Sequence, residues 1–143
     1  MPELPQLSPL RGIFITGTDT DVGKTTIAAG LTAAWRRSGV AAGYFKPIQS
    51  GARLREGRLV ATDALLVKDW AGLPEGLEEL TPVVLRLPLA PAVAAAQEGL
   101  SLTPELLVPP LQRLASRYRL LVVEGAGGLY VPLIGLDFLV LDL

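Results

Sequence analysis

The sequence contains no cysteine and no histidine among its 143 residues. Their absence excludes disulfides, thiol nucleophiles, imidazole bases and the usual zinc ligands. A metal ion in this protein must therefore be held by oxygen ligands. Oxygen ligands favour a hard cation such as Mg²⁺, which binds hydroxyl, carboxylate, water and phosphate oxygens.

A strong charge of one sign is also missing. The 13 basic and 14 acidic residues give a formal net charge of -1, which provides no attraction for nucleic acid or an anionic membrane. The sequence has no run of about 18 apolar residues, and residues 1–10 lack the basic start and apolar run of a signal peptide. We therefore expect a cytoplasmic protein with a small-molecule partner.

Hydrophobic residues make up 50% of the sequence. A chain of this length buries about 68–70% of its unfolded surface, which is enough for a substantial core. We therefore expect residues 1–143 to form one domain, in which residues 1–10 are flexible.

Apolar runs alternate with helical patterns, as is typical of βαβ units. The pattern predicts an α/β fold with three layers and a doubly wound, mostly parallel sheet, similar to P-loop NTPases. The predicted strands are 12–16, 41–45, 81–87, 119–128 and 138–143, and the predicted helices are 24–39, 62–72, 91–99 and 103–118. Residues 50–58 are predicted to be a loop, and the prolines at 109 and 110 are expected to break or restart the last helix.

The segment GIFITGTDTDVGKTTIAAG at 12–30 combines a strand, a glycine-rich loop and a helix. Backbone N–H groups and the start of a helix then surround one point, which suits an anion. Lys24 would reach the outer phosphates of a nucleotide and Thr25 the Mg²⁺. Five residues separate Gly17 from Gly23, one more than the strict nucleotide-loop pattern allows. A glycine turn followed by a surface lysine is the alternative, but the three features together favour phosphate binding.

The segments that follow parallel strands gather at one edge of a sheet, where ligands bind. Lys46 follows the second predicted strand beside Pro47, and is either functional or simply solvated. Glu124 lies in an aliphatic strand, where an unpaired carboxylate is costly, so a metal or hydrogen-bond partner is expected. The alternative is a carboxylate at the rim that faces water. Asp63 is a helix cap by its position alone, or a third metal ligand beside Thr25 if it points into the site.

Five segments together resemble dethiobiotin synthetase, the ATP-dependent ligase family of biotin synthesis, over nearly the whole chain. They are GTDTDVGKT (17–25), GYFKPIQSG (43–51), TDAL (62–65), PAVAAAQEG (91–99) and VVEGAGG (122–128). The five-residue gap and the threonine-acid pair inside it are usual in that family. The resemblance therefore accounts for the longer loop.

The resemblance implies a role for each matching residue. The implied ATP-binding residues are Asp21, Val22, Gly23, Lys24, Thr25, Thr26, Asp63, Glu124, Gly125, Ala126 and Gly127. The implied Mg²⁺ ligands are Thr25, Asp63 and Glu124. Lys46 and Lys24 would be catalytic, whereas Ser50 and Thr20 would bind the substrate.

The implied reaction joins CO₂ to 7,8-diaminononanoate (7,8-diaminopelargonate) and gives dethiobiotin, ADP and phosphate. The resemblance also implies a homodimer. Chains of that family continue into further strands that carry adenine-recognition residues, and into a loop that closes on the substrate carboxylate across the dimer interface. This sequence ends before them, in FLVLDL, so the hypothesis is a chain that binds phosphate and metal, has weakened adenine selectivity and is inactive alone.

Three other functions share parts of the pattern. A cobyrinate-type amidoligase has a similar loop, but the segment KPIQSG at 46–51 argues against it. A ParA-like or MinD-like switch ATPase typically has a lysine early in the loop, and residues 18–22 contain none. A truncated, non-catalytic nucleotide-binding module is the third alternative.

Overall fold

The computed structural model describes residues 11–143, so the prediction that residues 1–10 are flexible lies outside the described residues. Within this range the strands are β1 (Gly12–Gly17), β2 (Ala42–Phe45), β3 (Ile48–Gln49), β4 (Arg53–Arg55), β5 (Arg58–Val60), β6 (Val83–Val84), β7 (Leu120–Gly128), β8 (Pro132–Ile134) and β9 (Phe138–Leu139). The helices are α1 (Lys24–Arg37), α2 (Thr62–Ala71), α3 (Leu77–Leu80), α4 (Pro91–Gln97) and α5 (Pro104–Arg117), with a 3₁₀ turn at Val140–Asp142. No helix within residues 11–143 is long and apolar enough to cross a membrane.

Strands β1, β7 and β2 form a parallel sheet in that order. Helix α1 packs on all three strands and on α2, whereas α5 packs on β2 and β7. The crossover from β1 to β2 and the return from β2 to β7 run in opposite directions across the sheet. Because such crossovers are right-handed, the two helices lie on opposite faces. The α/β prediction with a doubly wound parallel sheet is therefore confirmed.

Strand β7 is the centre of this sheet because it is paired on both edges. Leu121 and Val122 are fully buried, as the continuous aliphatic run predicts. A first core cluster joins β7 and β2 to α1, α2 and α5. A second cluster, which includes Ile48, Leu85 and Leu133, packs under β3, β6 and α4. The two clusters leave the carboxyl ends of β1, β7 and β2 open on one side.

The predicted strand at 81–87 is largely wrong. Only Val83–Val84 is a strand, and it pairs with β3 in a separate two-stranded sheet. Pro82 and Pro88 have no N–H to donate to a longer ladder, which limits the strand at both sides. The segment is therefore not a strand of the parallel sheet, whose third strand is β7.

The predicted strand at 138–143 is also mostly wrong. Phe138–Leu139 pairs antiparallel with β8, and the chain then turns into the 3₁₀ helix. The Leu139 N–H donates to the Asp142 carboxylate at 2.8 Å, which favours the turn over a longer strand.

The predicted loop at 50–58 contains half of a hairpin. Strands β4 and β5 pair antiparallel, with Arg55 opposite Arg58. The two turn residues, Glu56 and Gly57, have φ of 51° and 78°. Two positive φ values in a two-residue turn match the twist of paired strands. The Glu-Gly pair is the sequence feature that indicates the hairpin turn, but the many charged residues around it favoured the prediction of a loop.

The predicted break in the helix at 103–118 is wrong, because α5 runs unbroken through Pro109 and Pro110. These prolines remove the N–H partners of the Glu105 and Leu106 carbonyls. Both of those residues are exposed, so water can hydrate their carbonyls. One face of α5 is buried in the core, and this packing stabilises the helix. The buried residues are Leu107, Val108, Pro110, Leu111 and Leu114.

Candidate nucleotide- and metal-binding site

The carboxyl ends of the three sheet strands meet at one cleft of about 1090 Å³. The glycine-rich loop after β1 forms one wall, and the end of β2 and the start of α2 form another. The last residues of β7 lie at its base. Lys24, Lys46 and Glu124 all line this cleft, as we expected from the positions of their strands.

The glycine-rich loop turns sharply just before α1. Asp21 has φ of 57°, and Gly23, at the N-cap of α1, has φ of 101°. A left-handed residue at this position favours glycine, and its lack of a side chain leaves the first helical N–H groups uncapped. These N–H groups and the positive end of the helix dipole form an anion-binding position. The Lys24 ammonium donates to the Asp19 carbonyl at 2.5 Å and so spans the loop.

Lys46 bridges two carboxylates inside the cleft. Its Nζ lies 2.5 Å from Asp63 Oδ2 and 2.8 Å from Glu124 Oε1. Burial alone would lower the pKa of Lys46, but the charges of Glu124 and Asp63 outweigh it and raise the pKa. Lys46 is therefore a fixed cation, and the alternative of a simply solvated lysine is excluded.

Glu124 is fully buried and accepts three hydrogen bonds. Thr25 and Lys46 donate to Oε1, each at 2.8 Å, and the Tyr44 hydroxyl donates to Oε2 at 2.8 Å. Burial, followed by the charge of Glu124, raises the pKa of Tyr44, so this hydroxyl stays protonated and donates. The expected partners of Glu124 are thus present, and the alternative of a rim carboxylate that faces water is wrong.

No sequence motif predicts Tyr44, although the strand register contains the signal. Tyr44 lies opposite Val122 in the pairing of β2 with β7. Two residues further along, the same register places Lys46 near Glu124. Because side chains alternate along a strand, positions 44 and 46 face the same side. A correct pairing of β2 with β7 would therefore have found Tyr44.

Asp63 is not a side-chain cap of α2. The N-cap residue is Ala61, and the Asp63 carboxylate instead binds Lys46. Gln49, which no pattern predicts, fixes the start of the helix: its amide donates to Thr62 Oγ1 at 2.8 Å and accepts from the Asp63 N–H at 3.1 Å. Asp63 is therefore aimed into the cleft by two neighbouring elements.

The donor set of the cleft fits Mg²⁺. Within residues 11–143 there is no group of three or more His, Cys, Asp and Glu side chains suited to a metal ion. The set predicted from the sequence is instead one hydroxyl, from Thr25, and two carboxylates, from Asp63 and Glu124. Mg²⁺ commonly uses one or two carboxylates and takes its other ligands from water and phosphate. Lys46 connects the two carboxylates, so they already share one cation.

Most of the other predicted site residues also line the cleft. They are Thr20, Asp21, Gly23, Thr26, Ser50, Ala126 and Gly127. Val22 and Gly125 lie outside its lining. Val22 is 52% exposed, and Gly125 packs below the base of the cleft against Phe14 and Val140. The cleft is also lined by Arg53 and by an apolar segment, Pro88 to Pro91. We did not predict these residues to contact a ligand.

A family model described as an AAA domain matches residues 11–143. The chain belongs to the AAA domain family. The match covers every element described above, including the glycine-rich loop and the strand that carries Glu124. The AAA domain is also similar to curated proteins named ATP-dependent dethiobiotin synthetase, which agrees with the resemblance seen in its motifs.

Three of these relatives show the extent of the similarity. The relative from Bacillus licheniformis is 42% identical over 134 residues, which cover 94% of this chain and 55% of the relative. The Anaeromyxobacter dehalogenans relative is 44% identical over 124 residues, 87% of this chain and 54% of the relative. The Bacillus subtilis relative is 40% identical over 131 residues, 92% of this chain and 55% of the relative. This AAA domain thus spans about half the length of the curated relatives it matches.

Proposed function

We propose that this AAA domain takes part in the ATP-dependent ring closure of 7,8-diaminononanoate with CO₂ to dethiobiotin. The observation that carries the proposal is the meeting of Lys24, Lys46 and Glu124 at the ends of three adjacent parallel strands. The similarity to proteins named dethiobiotin synthetase supports the same reaction. In this proposal the domain acts as a ligase of biotin biosynthesis in the cytoplasm, within a homodimer.

The glycine-rich loop and Lys24 would hold the ATP phosphates. Gly23 leaves the first N–H groups of α1 without a side-chain cap, and residues Asp21 to Thr26 lead from the loop into this helix. The turn from Glu124 to Gly127 would line the nucleotide from the side of β7. Thr25, Asp63 and Glu124 would hold Mg²⁺, which neutralises charge on the phosphate oxygens when bound.

The chemistry would need little covalent work from the protein. One substrate amine adds to CO₂ and loses a proton, which gives a carbamate. A carbamate oxygen attacks the γ-phosphorus and ADP leaves. The second amine then attacks the activated carbonyl and phosphate leaves, which closes the cyclic urea. Phosphoryl transfer of this kind depends mainly on alignment and charge stabilisation, which Lys46 and Lys24 would supply.

Ser50 and Thr20 would orient the diamine. Both line the cleft, and Ser50 follows β3 on the side of the apolar segment Pro88 to Pro91. An apolar wall suits the hydrocarbon chain of a nine-carbon diamino acid, since burial of each CH₂ contributes about 0.8 kcal/mol.

Product formation tests the proposal directly. The chain is incubated with 7,8-diaminononanoate, bicarbonate and Mg·ATP, and mass spectrometry follows a cyclic urea that carries the bicarbonate carbon. A reaction without the diamine and a Lys46→Met variant serve as controls. We expect product that requires ATP, the diamine and Lys46. ATP hydrolysis that a macromolecular partner stimulates, without any cyclic urea, would instead support the switch ATPase.

A further inference from the structure

The two oxygens of Glu124 have different surroundings. Oε1 accepts from Thr25 and Lys46, whose side chains line the cleft. Oε2 accepts from the Tyr44 hydroxyl at 2.8 Å, and Tyr44 does not line the cleft. Tyr44 and Glu124 are both fully buried. The tyrosine therefore holds the carboxylate from the core side, while Oε1 is bonded on the side of the cleft.

Core packing alone does not require this hydroxyl. Tyr44 belongs to the first core cluster, beside Phe45 and the aliphatic residues of β7. A phenylalanine would fill the same volume without a polar atom. A tyrosine hydroxyl in such surroundings needs a partner, and Glu124 is the acceptor that it has. The hydrogen bond, more than the ring, distinguishes this position.

We infer that Tyr44 is a positioning residue that fixes the rotation of Glu124, so that the carboxylate presents Oε1 alone to a divalent cation. The inference uses the proposed function only where it takes Glu124 as a metal ligand. A partner behind a metal-binding carboxylate commonly tunes affinity, and its loss reduces metal affinity or activity about 10- to 100-fold.

This geometry also bears on the choice of metal. Mg²⁺ requires near-ideal octahedral geometry, whereas Ca²⁺ accepts a carboxylate through both oxygens. A hydrogen bond to Oε2 opposes the two-oxygen mode. Tyr44 therefore favours a small, octahedral cation over Ca²⁺. Removal of its hydroxyl should reduce the difference in affinity between such a cation and Ca²⁺.

The test compares Tyr44→Phe with Tyr118→Phe. Tyr118 is a matched control because its hydroxyl also donates to a buried glutamate, Glu75 Oε1 at 2.6 Å, outside the cleft. Mn²⁺ is titrated by electron paramagnetic resonance in the presence of a non-hydrolysable ATP analogue, and Ca²⁺ by competition. We expect Tyr44→Phe to weaken Mn²⁺ binding about 10- to 100-fold and Ca²⁺ binding less. Tyr118→Phe should leave both affinities unchanged.

Two further variants keep the test decisive. In a Glu124→Gln background, Tyr44→Phe should have no additional effect on Mn²⁺ binding, because the ionised carboxylate that it orients is gone. If Tyr44→Phe does not fold, 4-fluorophenylalanine at position 44 keeps the bulk at the ring end without a donor. Mn²⁺ affinity within twofold of the parent chain in the folded variant would overturn the inference, as would an equal loss for Mn²⁺ and Ca²⁺.

The outcome is separable from that of the proposed function. If Tyr44→Phe weakens Mn²⁺ binding as expected but the parent chain forms no cyclic urea, the ligase activity is refuted and the inference stands. A parent chain that forms the cyclic urea, with Mn²⁺ affinity insensitive to Tyr44→Phe, would do the reverse. A parent chain that binds no Mn²⁺ would overturn the inference.

Discussion

Replacement of Lys46 by methionine removes the cation that two carboxylates share. Lys46 is 5% exposed, and its Nζ lies 2.5 Å from Asp63 and 2.8 Å from Glu124. Removal of one partner of a buried ion pair costs about 3–5 kcal/mol, because the remaining charge stays buried without compensation. For a domain of this size the melting temperature should fall by roughly 10–20 °C.

Mg²⁺ should reverse part of this loss. With the ammonium gone, Glu124 and Asp63 lack their shared cation and a divalent cation can replace it, so the variant should gain more stability from Mg²⁺ than the parent does. Binding at a hundred times the dissociation constant contributes about 2.7 kcal/mol. Differential scanning calorimetry in EDTA and in Mg²⁺ measures both effects.

Lys68→Met is the matched control for this experiment. The Lys68 ammonium donates to the carbonyls of Leu73 and Glu75, outside the cleft. Its loss should destabilise the protein by about 1–3 kcal/mol, with no difference between EDTA and Mg²⁺. A Lys46→Met variant that melts within 2 °C of the parent, or that gains no more from Mg²⁺ than Lys68→Met does, would refute the reasoning about the shared cation.

Three further predictions concern packing, pH and nucleotide choice. Gly43→Ala should destabilise the protein by about 1–3 kcal/mol in urea unfolding, because the added Cβ would lie 2.3 Å from the Tyr118 ring. The control is Gly30→Ala, at an exposed position of α1, which should be neutral or stabilising. Burial and then the Glu75 hydrogen bond raise the pKa of Tyr118 to about 12. The contribution of Tyr118 to the free energy of unfolding should therefore be fully present below pH 10 and be lost as the pH rises from 10 to 12. A Tyr118 hydroxyl that titrates near pH 10 by absorbance would contradict this. The predicted nucleotide ligands belong to the phosphate and metal end, so calorimetry should give ATP and GTP dissociation constants within about tenfold of each other; a larger preference for ATP would contradict this.

The parts of the fold predicted correctly depend on local patterns. The aliphatic run of β7 predicts a buried central strand, and the glycine loop before α1 predicts its sharp turn. The elements predicted wrongly were decided by distant contacts. Helix α5 tolerates Pro109 and Pro110 because its buried face packs in the core. The local preference of proline against helix interiors does not take such packing into account.

The site follows the same division. Lys46 and Glu124 were predictable, because each lies at or near the end of a strand and because a buried carboxylate needs partners. Tyr44 and Gln49 were not, because tyrosine and glutamine in a strand have no characteristic spacing. Their roles depend on the register of β2 against β7 and on the contact of β3 with α2, both of which join residues far apart in the sequence.

The charges at the base of the cleft explain why its ligand is expected to be a metal complex. Lys24 and Lys46 provide two positive charges there, and Asp63 and Glu124 cancel them. A free triphosphate would therefore meet no net positive charge at the base of the cleft. A nucleotide that arrives with its own divalent cation would supply the missing charge, and in the proposed function the carboxylate oxygens would then be ligands of that cation. We therefore expect the carboxylates of this cleft to favour Mg·ATP over free ATP, a preference that the glycine-rich loop alone would not provide.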